Sequence, residues 1–453
     1  MISHESCLSE NFHGEILGRL LLYNHHMNIH DLRNSALIPY HYAQAFLAAN
    51  HYDYPASAMT VIGVTGTNGK TSTCFMIYHA LKKAGYKVGM MSTIGMAMGE
   101  ELEKRAGHMT TETPKLLNKH IAEMREAGIQ YLVLEVSSHA LAQNRVFGIP
   151  FDIAVMTNVT PEHLDYHRTF ERYRAAKMKL FRMVADEAKR GGSGVGIVNA
   201  DDPSGKYFAH LVPHPISYGV KDTNADLKAT RVKVTSKGVE YYTRIDKEAY
   251  HIKVNIPGEF YVYNSLAAVA VCHALGLTRE QIEDGIADLK GVEGRMERIE
   301  TDHGFDVIID YAHTPDSYRR MLPDLQKSTK GKVYIITGAE GHRDNSKFGT
   351  MGELAGKYSD EVILTEQDPM DEDVRQLSEM IAKGVRKTGK EEGKGLTFIE
   401  SRQEAVNHAV SKAQVGDLIL LLGMGHQKTI ERKNGKEPWS EREAVEKALE
   451  SAK

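Results

Sequence analysis

Apolar positions along the chain follow two rhythms that alternate with one another. From Thr60, TVIGVTG is a β-branched run entering a glycine-rich turn, and STCFMIYHALKKAG after it places apolar residues at helical spacing and closes on Gly85. KVGMMST reads as the next strand, LLNKHIAEMREAGI as an amphipathic helix, and YLVLEVSS and FDIAVMTNV as further buried strands. Strands that are apolar throughout, separated by helices, predict a mainly parallel sheet covered by helices. VGIVNADD adds one more such strand. KATRVKVTSKGVEYYTRI and YHIKVNIPG then alternate polar and apolar residues around a Lys-Gly turn, predicting antiparallel hairpins, and a helix is expected from Tyr263 to Leu275. A second α/β unit starts near Gly294, with strands DVIIDYA, VYIITGA, EVILTEQ, LTFIE and DLILLLG. Residues 1–58 hold helical stretches (EILGRLLLYNHHM, YHYAQAFLAAN) and no strand pattern. The expected organisation is a short N-terminal segment over 1–58, a central domain over 59–293 and a C-terminal Rossmann-like domain over 294–453, with the main boundary near Val292–Arg295.

Composition narrows the function classes. A length of 453 residues exceeds a single hydrophobic core. A formal charge of -4 leaves no basic footprint for nucleic acid or an anionic membrane, so small-molecule partners are expected. Cys7, Cys74 and Cys272 have no metal-ligand or redox spacing and read as free thiols in a reducing compartment. The N-terminus lacks a signal-peptide layout, and no apolar run approaches the ~20 residues that cross a bilayer. The cytoplasm is the expected location.

VIGVTGTNGKTST joins a buried strand to a helix through Gly66, Thr67, Asn68 and Gly69, followed by Lys70, Thr71 and Ser72. Backbone N–H groups in such a turn, with a helix N-terminus behind them, form a concave anion site. Lys70 adds a positive charge for the β- and γ-phosphates of a nucleotide, and the Thr71 hydroxyl suits Mg²⁺. The match to the common P-loop pattern is imperfect, because Val64 stands at its first glycine position and Gly63 lies one residue earlier. The plain alternative is an ordinary glycine-rich strand–helix turn.

TGTNGKTS resembles the phosphate loop of the Mur ligases and folylpolyglutamate synthetases. TTETP at Thr110, EVSSHALAQNRV at Glu135, TNVTPEHLDYH at Thr157, YRAAKMKLF at Tyr173, NADDP at Asn199, YNSLAAVA at Tyr263, GRMERI at Gly294 and DYAHTPDS at Asp310 resemble the MurE type within that family. The resemblance implies an ATP-dependent ligase that activates a carboxylate as an acyl phosphate and couples it to an amine. It implies Mg²⁺ held by Thr71 and Glu135, a second Mg²⁺ at His163, and a carbamylated Lys177 beside the metal. His163 and Lys177 are fourteen positions apart, as in the MurE pattern. Without the resemblance, His163 reads as a loop histidine and Lys177 as a solvated helix face. Asn264, which alone reads equally as a helix N-cap, is implied at the adenine, Arg295 and Asp310 at phosphate and ribose, and Asn158 on the nucleotide side. Thr110, Thr111, Ser137, Gln143 and Arg145 are implied to hold the muramoyl-dipeptide end of the carboxylate substrate.

Two departures change the expectation. The family usually begins with a larger UDP-binding domain carrying an Asp-Ser-Arg motif, and residues 1–58 contain no such motif. The arginines that grip diaminopimelate in the family are replaced at QDPM (Gln367–Met370) and Lys347-Phe348, and the late Gly-Lys-Gly-His-Glu segment reads GMGHQ. An amine pocket of Asp368, Met370, Phe348 and Gln427 is therefore expected, with diaminopimelate disfavoured. The alternatives are a Mur-type ligase for a specialised peptide or poly-amino acid, and a P-loop NTPase acting as a switch or motor. The second leaves His163, Lys177 and the second α/β unit without a task.

Overall fold

The computed structural model describes residues 29–99, 101–104, 109–235, 237–343 and 345–452. The stretch EILGRLLLYNHHM lies outside the described residues. Among them, a helix spans Ile29–His51 and a 3₁₀ turn Pro55–Ala58 before the first strand. No helix among the described residues is long and apolar enough to cross a membrane.

The first sheet has nine strands: β1 (Thr60–Thr65), β2 (Val88–Met91), β3 (Gly95–Met98), β4 (Glu101–Lys104), β5 (Tyr131–Glu135), β6 (Phe151–Met156), β7 (Val195–Asn199), β8 (His214–Gly219) and β9 (Leu227–Lys228). Their spatial order is β4-β3-β2-β5-β1-β6-β7-β8-β9. β2, β5, β1, β6 and β7 run parallel, as their apolar runs predict; β8 and β9 extend the parallel series beyond the expected strands, while β3 and β4 add an antiparallel edge. This edge was not apparent in the sequence, since GMAM and ELEK carry no β-branched signal. Alternate residues of β1 enter opposite cores: Val61 faces the side of Leu180 and Phe181, and Ile62 and Val64 face the side of Cys74 and Leu266. Gly63 lies on the Val61 side, where a Cβ would stand 2.8 Å from both Leu180 and Phe151. The displaced glycine of the loop motif thus lets the helix Phe170–Ala188 approach β1 closely.

The expected antiparallel unit is a three-stranded sheet of β10 (Thr230–Thr235), β11 (Gly238–Ile245) and β12 (Glu248–Val254). The helix after it runs over Phe260–Ala274 with Glu259 at its N-cap, so Asn264 is inside the helix and does not cap it.

The second large sheet comprises β13 (Glu297–Ile299), β14 (Asp306–Asp310), β15 (Val333–Thr337), β16 (Glu361–Leu364), β17 (Glu391–Glu392), β18 (Gly395–Phe398) and β19 (Leu418–Leu422). Its order is β13-β14-β19-β15-β16-β18-β17, parallel except for β13. Alternation in β14, β15 and β19 again feeds two cores, one with Ile309, Ile336 and Leu421 and the other with Ile308, Ile335 and Leu420. A hairpin of β20 (Thr429–Arg432) and β21 (Gly435–Pro438) follows.

Arg402 is fully buried in this second unit. Its Nε donates to Glu441 Oε1 at 3.0 Å, while its Nη groups reach the carbonyls of Glu366 and Leu422 at 3.2 and 3.0 Å. The guanidinium ties a strand end, two helix starts and the chain beyond β16 together. Removing one member of such a pair strands a buried charge, at a cost of about 3–5 kcal/mol. Arg402→Met should therefore lower the thermal midpoint substantially, and Arg402→Met/Glu441→Leu should regain most of it. An unshifted single variant in a thermal melt would show that the pair carries no such weight.

Candidate functional site

The carboxyl ends of β1, β5 and β6 face the carboxyl end of β14 and its following loop across a cavity of about 790 Å³. Crevices at the carboxyl ends of parallel strands are where α/β folds place ligands.

The loop after β1 is wedged in place by neighbours on both sides. Gly66 has φ +154 and Gly69 φ +84, and a Cβ at these positions would stand 1.8 Å from Thr157 Oγ1 and 2.3 Å from Asn264 Oδ1. Asn158 uses its whole side-chain amide on the loop: Oδ1 accepts from Asn68 N and Nδ2 donates to Asn68 O, both at 2.9 Å. Its carbonyl also accepts from Thr67 N at 2.8 Å. Thr67 Oγ1 contacts Tyr173 OH at 3.1 Å. The first helical bond runs from Thr73 N to Gly69 O, so the amides of Lys70, Thr71 and Ser72 precede it and have no helical carbonyl to serve. Lys70 Nζ folds back on Thr67 O at 2.8 Å.

At the mouth of the loop, Thr71 Oγ1 and Thr93 N both donate to Glu135 Oε2, at 3.0 and 2.9 Å. Glu135 is 1% exposed. A buried carboxylate and a hydroxyl converging beside an anion cradle are the oxygen donors that Mg²⁺ takes, with phosphate and water completing its shell. No group of three or more His, Cys, Asp or Glu placed to hold a metal occurs among the described residues, so any ion here depends on ligands from outside the chain or on a modified side chain.

Lys177 lies behind the loop and not on a solvated face. It is 1% exposed, its Nζ donates to Gly66 O at 2.6 Å, and it sits 4.5 Å above the ring of Tyr173. Burial, then the charge of Lys70, hold its pKa well below the ordinary lysine range, against the opposing pull of Glu162 and Glu135. On the cavity side of Tyr173 is a histidine cluster. The rings of His139 and His163 meet edge-on at 4.8 Å, and His167 stands 5.4 Å from His139 with Nε2 on Ser138 Oγ at 3.0 Å. Burial and the neighbouring imidazole push His139 and His167 down to about 3, and burial also lowers His163 against the pull of Glu162.

Glu162 was not singled out in the sequence, although it precedes His163 in TPEH. Its Oε2 is 3.9 Å from His163 Nε2 and its Oε1 is 3.5 Å from His313 Nε2, while His313 Nδ1 lies on Tyr311 O at 2.7 Å. Burial raises the Glu162 carboxyl, but the His313 contact and the surrounding cations outweigh it and hold it well below the usual range. Two further contacts join the same elements: Asn68 Nδ2 donates to Asp316 Oδ2 at 3.0 Å, and Arg295 Nη2 to Thr71 Oγ1 at 3.4 Å.

Asn264 and Arg295 line the cavity, each with a buried donor (Nδ2 and Nε) that has no protein partner. Orphaned buried donors facing an anion cradle are what a nucleotide would satisfy. Asp310 also lines it, although both its oxygens accept main-chain amides, from Met296 and Ala312, at 2.7 Å. Thr110, Ser137 and Arg145 form the opposite wall. Thr111 and Gln143 stand behind them: Thr111 Oγ1 bridges Glu135 O and Ser137 N, and Gln143 Oε1 accepts from Arg145 Nε at 2.8 Å.

Of the expected amine pocket, Asp368 and Gln427 are brought together, the carboxylate accepting from Gln427 Nε2 at 2.8 Å and from Glu431 N at 2.7 Å, although neither lines the cavity. Met370 bonds the same strand through its backbone, and Phe348 is 2% exposed in a core. Glu340, Arg343, Ser346, Lys347 and Thr350 face the cavity from this side, with Arg343 Nε on Glu340 Oε1 at 2.8 Å. GHRD held the signal for Arg343, but nothing local fixed which way the loop would point.

Comparison with known proteins adds a family. Residues 64–272 match the Mur ligase middle domain, and residues 294–425 the Mur ligase glutamate ligase domain. The chain is 38% identical over 388 residues to UDP-N-acetylmuramoyl-L-alanyl-D-glutamate--2,6-diaminopimelate ligase 1 of Clostridium acetobutylicum, covering 85% of this chain and 77% of that one. It is 37% identical to UDP-N-acetylmuramyl-tripeptide synthetase of Roseiflexus sp., covering 90% and 82%. A solved UDP-N-acetylmuramoyl-L-alanyl-D-glutamate--2,6-diaminopimelate ligase superposes with a TM-score of 0.63 at 26% identity, over 90% of this chain and 83% of that one.

Gly69→Ala combines a left-handed backbone, which costs a side chain roughly 1–2 kcal/mol, with a collision against Asn264. Affinity for a nucleoside triphosphate should fall at least about tenfold with the secondary structure intact. Wild-type affinity in a calorimetric titration would show that the loop does not form the anion site.

Proposed function

The chain belongs to the Mur ligase family of ATP-dependent amide-forming ligases, and from that premise we propose that it joins the carboxylate of a UDP-N-acetylmuramoyl-dipeptide to the amine of an amino acid in the cytoplasm. One observation carries this reading: the loop with Lys70, the Thr71–Glu135 pair and the Thr110–Ser137–Arg145 wall share one cavity, which sets an acceptor carboxylate beside the γ-phosphate of bound ATP.

Each step follows from the side chains. The amides at the start of the helix Lys70–Lys83 and the Lys70 ammonium hold the ATP phosphates, Lys70 exchanging Thr67 O for phosphate oxygen. Asn264 and Arg295 give their orphaned donors to the nucleotide, with Asp310 beside the ribose. Arg145 orients the acceptor carboxylate, whose oxygen attacks the γ-phosphorus as ADP leaves. The amine nitrogen then attacks the acyl carbon, loses a proton and displaces phosphate. Thr71, Glu135, His163 and a carbamylated Lys177 would hold Mg²⁺, which supplies charge neutralisation during phosphoryl transfer. Burial supports the modification, since a neutral lysine amine adds CO₂ with loss of a proton and the depressed pKa of Lys177 provides that form. The carbamate replaces a cation behind the loop with oxygen donors.

For the amine, Arg343 on the cavity wall offers a carboxylate-binding cation where the family's arginines are replaced by Met370 and Phe348, which weakens the ground for excluding diaminopimelate. The Glu340–Arg343 pair carries one charge of each sign and suits the zwitterionic terminus of an amino acid, so both lysine and diaminopimelate are candidates. Relatives named as diaminopimelate ligases favour the latter.

The deciding experiment is ADP release with UDP-N-acetylmuramoyl-dipeptide, screened against amino acids. Release should depend on the amine, and Arg343→Met should raise KM for the preferred one by about tenfold, a discounted value because the pair is half exposed. ADP release indifferent to any amine would end the reading. Lys177→Ala should nearly abolish turnover, with millimolar short carboxylates restoring part of it. In ¹³C NMR with labelled bicarbonate, the wild type should carry a carbamate signal that the variant lacks. Full activity in the variant would remove Lys177 from the site.

A further inference from the structure

Among the histidines gathered beside the phosphate loop, His139 has no part in the chemistry derived so far. His163 faces Glu162, and His167 Nε2 lies on Ser138 Oγ at 3.0 Å. Neither ring nitrogen of His139 has a hydrogen-bond partner among the described residues, although the side chain lines the cavity. Its ring is nonetheless held in place. Tyr166 stands 4.4 Å from it, His163 4.8 Å and His167 5.4 Å, each measured between ring centres. A polar ring clamped by its neighbours and left unpaired toward a cavity is set in advance for a group that the cavity takes up.

The surroundings locate it relative to the reacting atoms. His139 follows Glu135 and Ser137 in the chain beyond β5. A chain of contacts joins it to the wall that takes the acceptor carboxylate: Arg145 Nε donates to Gln143 Oε1 at 2.8 Å, Gln143 Nε2 donates to Tyr166 OH at 3.3 Å, and Tyr166 packs on the imidazole. The charge of Arg145 reaches the ring, and so does that of Arg343 from the second unit. His139 therefore stands between the guanidinium given to the acceptor carboxylate and the one given to the amine, where the new bond forms. Two guanidiniums nearby disfavour a positive imidazole, so taking a proton from an ammonium is a poor use of it. Donation of an N–H is open to the ring in either protonation state, and a neutral imidazole polarises a carbonyl in this way. Such a bond gains most as the oxygen takes up charge, which happens when the amine attacks.

We propose that His139 is a catalytic residue that donates a hydrogen bond to the acyl oxygen of the activated carboxylate. The inference rests on the function given above and concerns its second step. As the amine nitrogen bonds to the acyl carbon, the carbonyl π pair moves onto oxygen, where His139 meets it without giving up its proton. The pair then returns, the bond to the phosphate oxygen breaks with its electrons on phosphate, and the proton from nitrogen leaves on that phosphate.

The test separates the two steps in the full-length protein. His139→Phe keeps a ring in the cluster and loses the donor. Its single-turnover rate of amide formation should fall about a hundredfold, the usual loss for one donor of this kind. Carboxylate-dependent positional isotope exchange in ATP without amine reports the first step alone, and it should stay within about threefold of wild type. His139→Ala reads the same split if the larger ring disturbs the cluster. His139→Gln or His139→Asn, each of which returns an N–H, should recover about tenfold of the loss. An unchanged amide rate would overturn the proposal. So would parallel loss of both steps, which would make His139 a structural member of the cluster, or equal loss in all four variants. Absence of carboxylate-dependent exchange in the wild type would instead contradict the function itself, and the inference with it.

Discussion

Lys177 reaches from the helix behind the first sheet to the carbonyl of Gly66 at 2.6 Å, and this contact requires the helix to lie closer to β1 than side chains normally permit. Gly63 provides the room by presenting no Cβ to Leu180, which is three residues from Lys177 on the same helix. With the helix at that distance, Tyr173 meets Thr67 and the loop is held from below. Thr157 and Asn158 hold it from one side and Asn264 from the other. A phosphate cradle needs its amides fixed before the ligand arrives, because donors that must be reoriented lose much of their electrostatic effect. Here the fixing comes from three segments outside the loop.

The second large sheet completes the site from outside. Asp316 meets Asn68, Arg295 meets Thr71, and His313 meets Glu162, so three contacts cross from the second unit to the loop, the Thr71 hydroxyl and the histidine cluster. Gly294 lies where the chain passes between them, at φ +64 and with its Cβ position filled by the backbone of Gly425 and His426. The acyl phosphate proposed above would survive only where water is kept out, and the two units meeting across the cavity would provide that enclosure. The polar character of the joining contacts suits a contact that is made and broken during turnover.

Much of the fold was legible because its signals are local. The β-branched runs at Thr60, Tyr131, Phe151 and Val333 are apolar on both faces, and both faces are covered. The loop from Gly66 to Thr71 was equally readable, since its backbone path needs glycine at fixed places. Lys177 was not readable from periodicity, because the feature that buries it is a glycine more than a hundred residues away. Asn158 is expected on the nucleotide side, and it lines the cavity while its amide braces the loop backbone. The surroundings of Asp368, Met370 and Gln427 depend on the pairing of Met370 with the strand around Arg432, which no local pattern encodes. Glu162 is an ordinary charged loop residue until His313 arrives from another element.

The central claim is that the cavity transfers the γ-phosphate of ATP to a carboxylate before any amine takes part. Positional isotope exchange tests it directly, using ATP labelled in the β,γ-bridge and incubated with the carboxylate substrate alone. The account predicts scrambling of the bridge label into the non-bridging β positions that depends on the carboxylate and needs no amine, with ADP and phosphate as the products once amine is added. Formation of AMP and pyrophosphate, or scrambling only in the presence of amine, would contradict it.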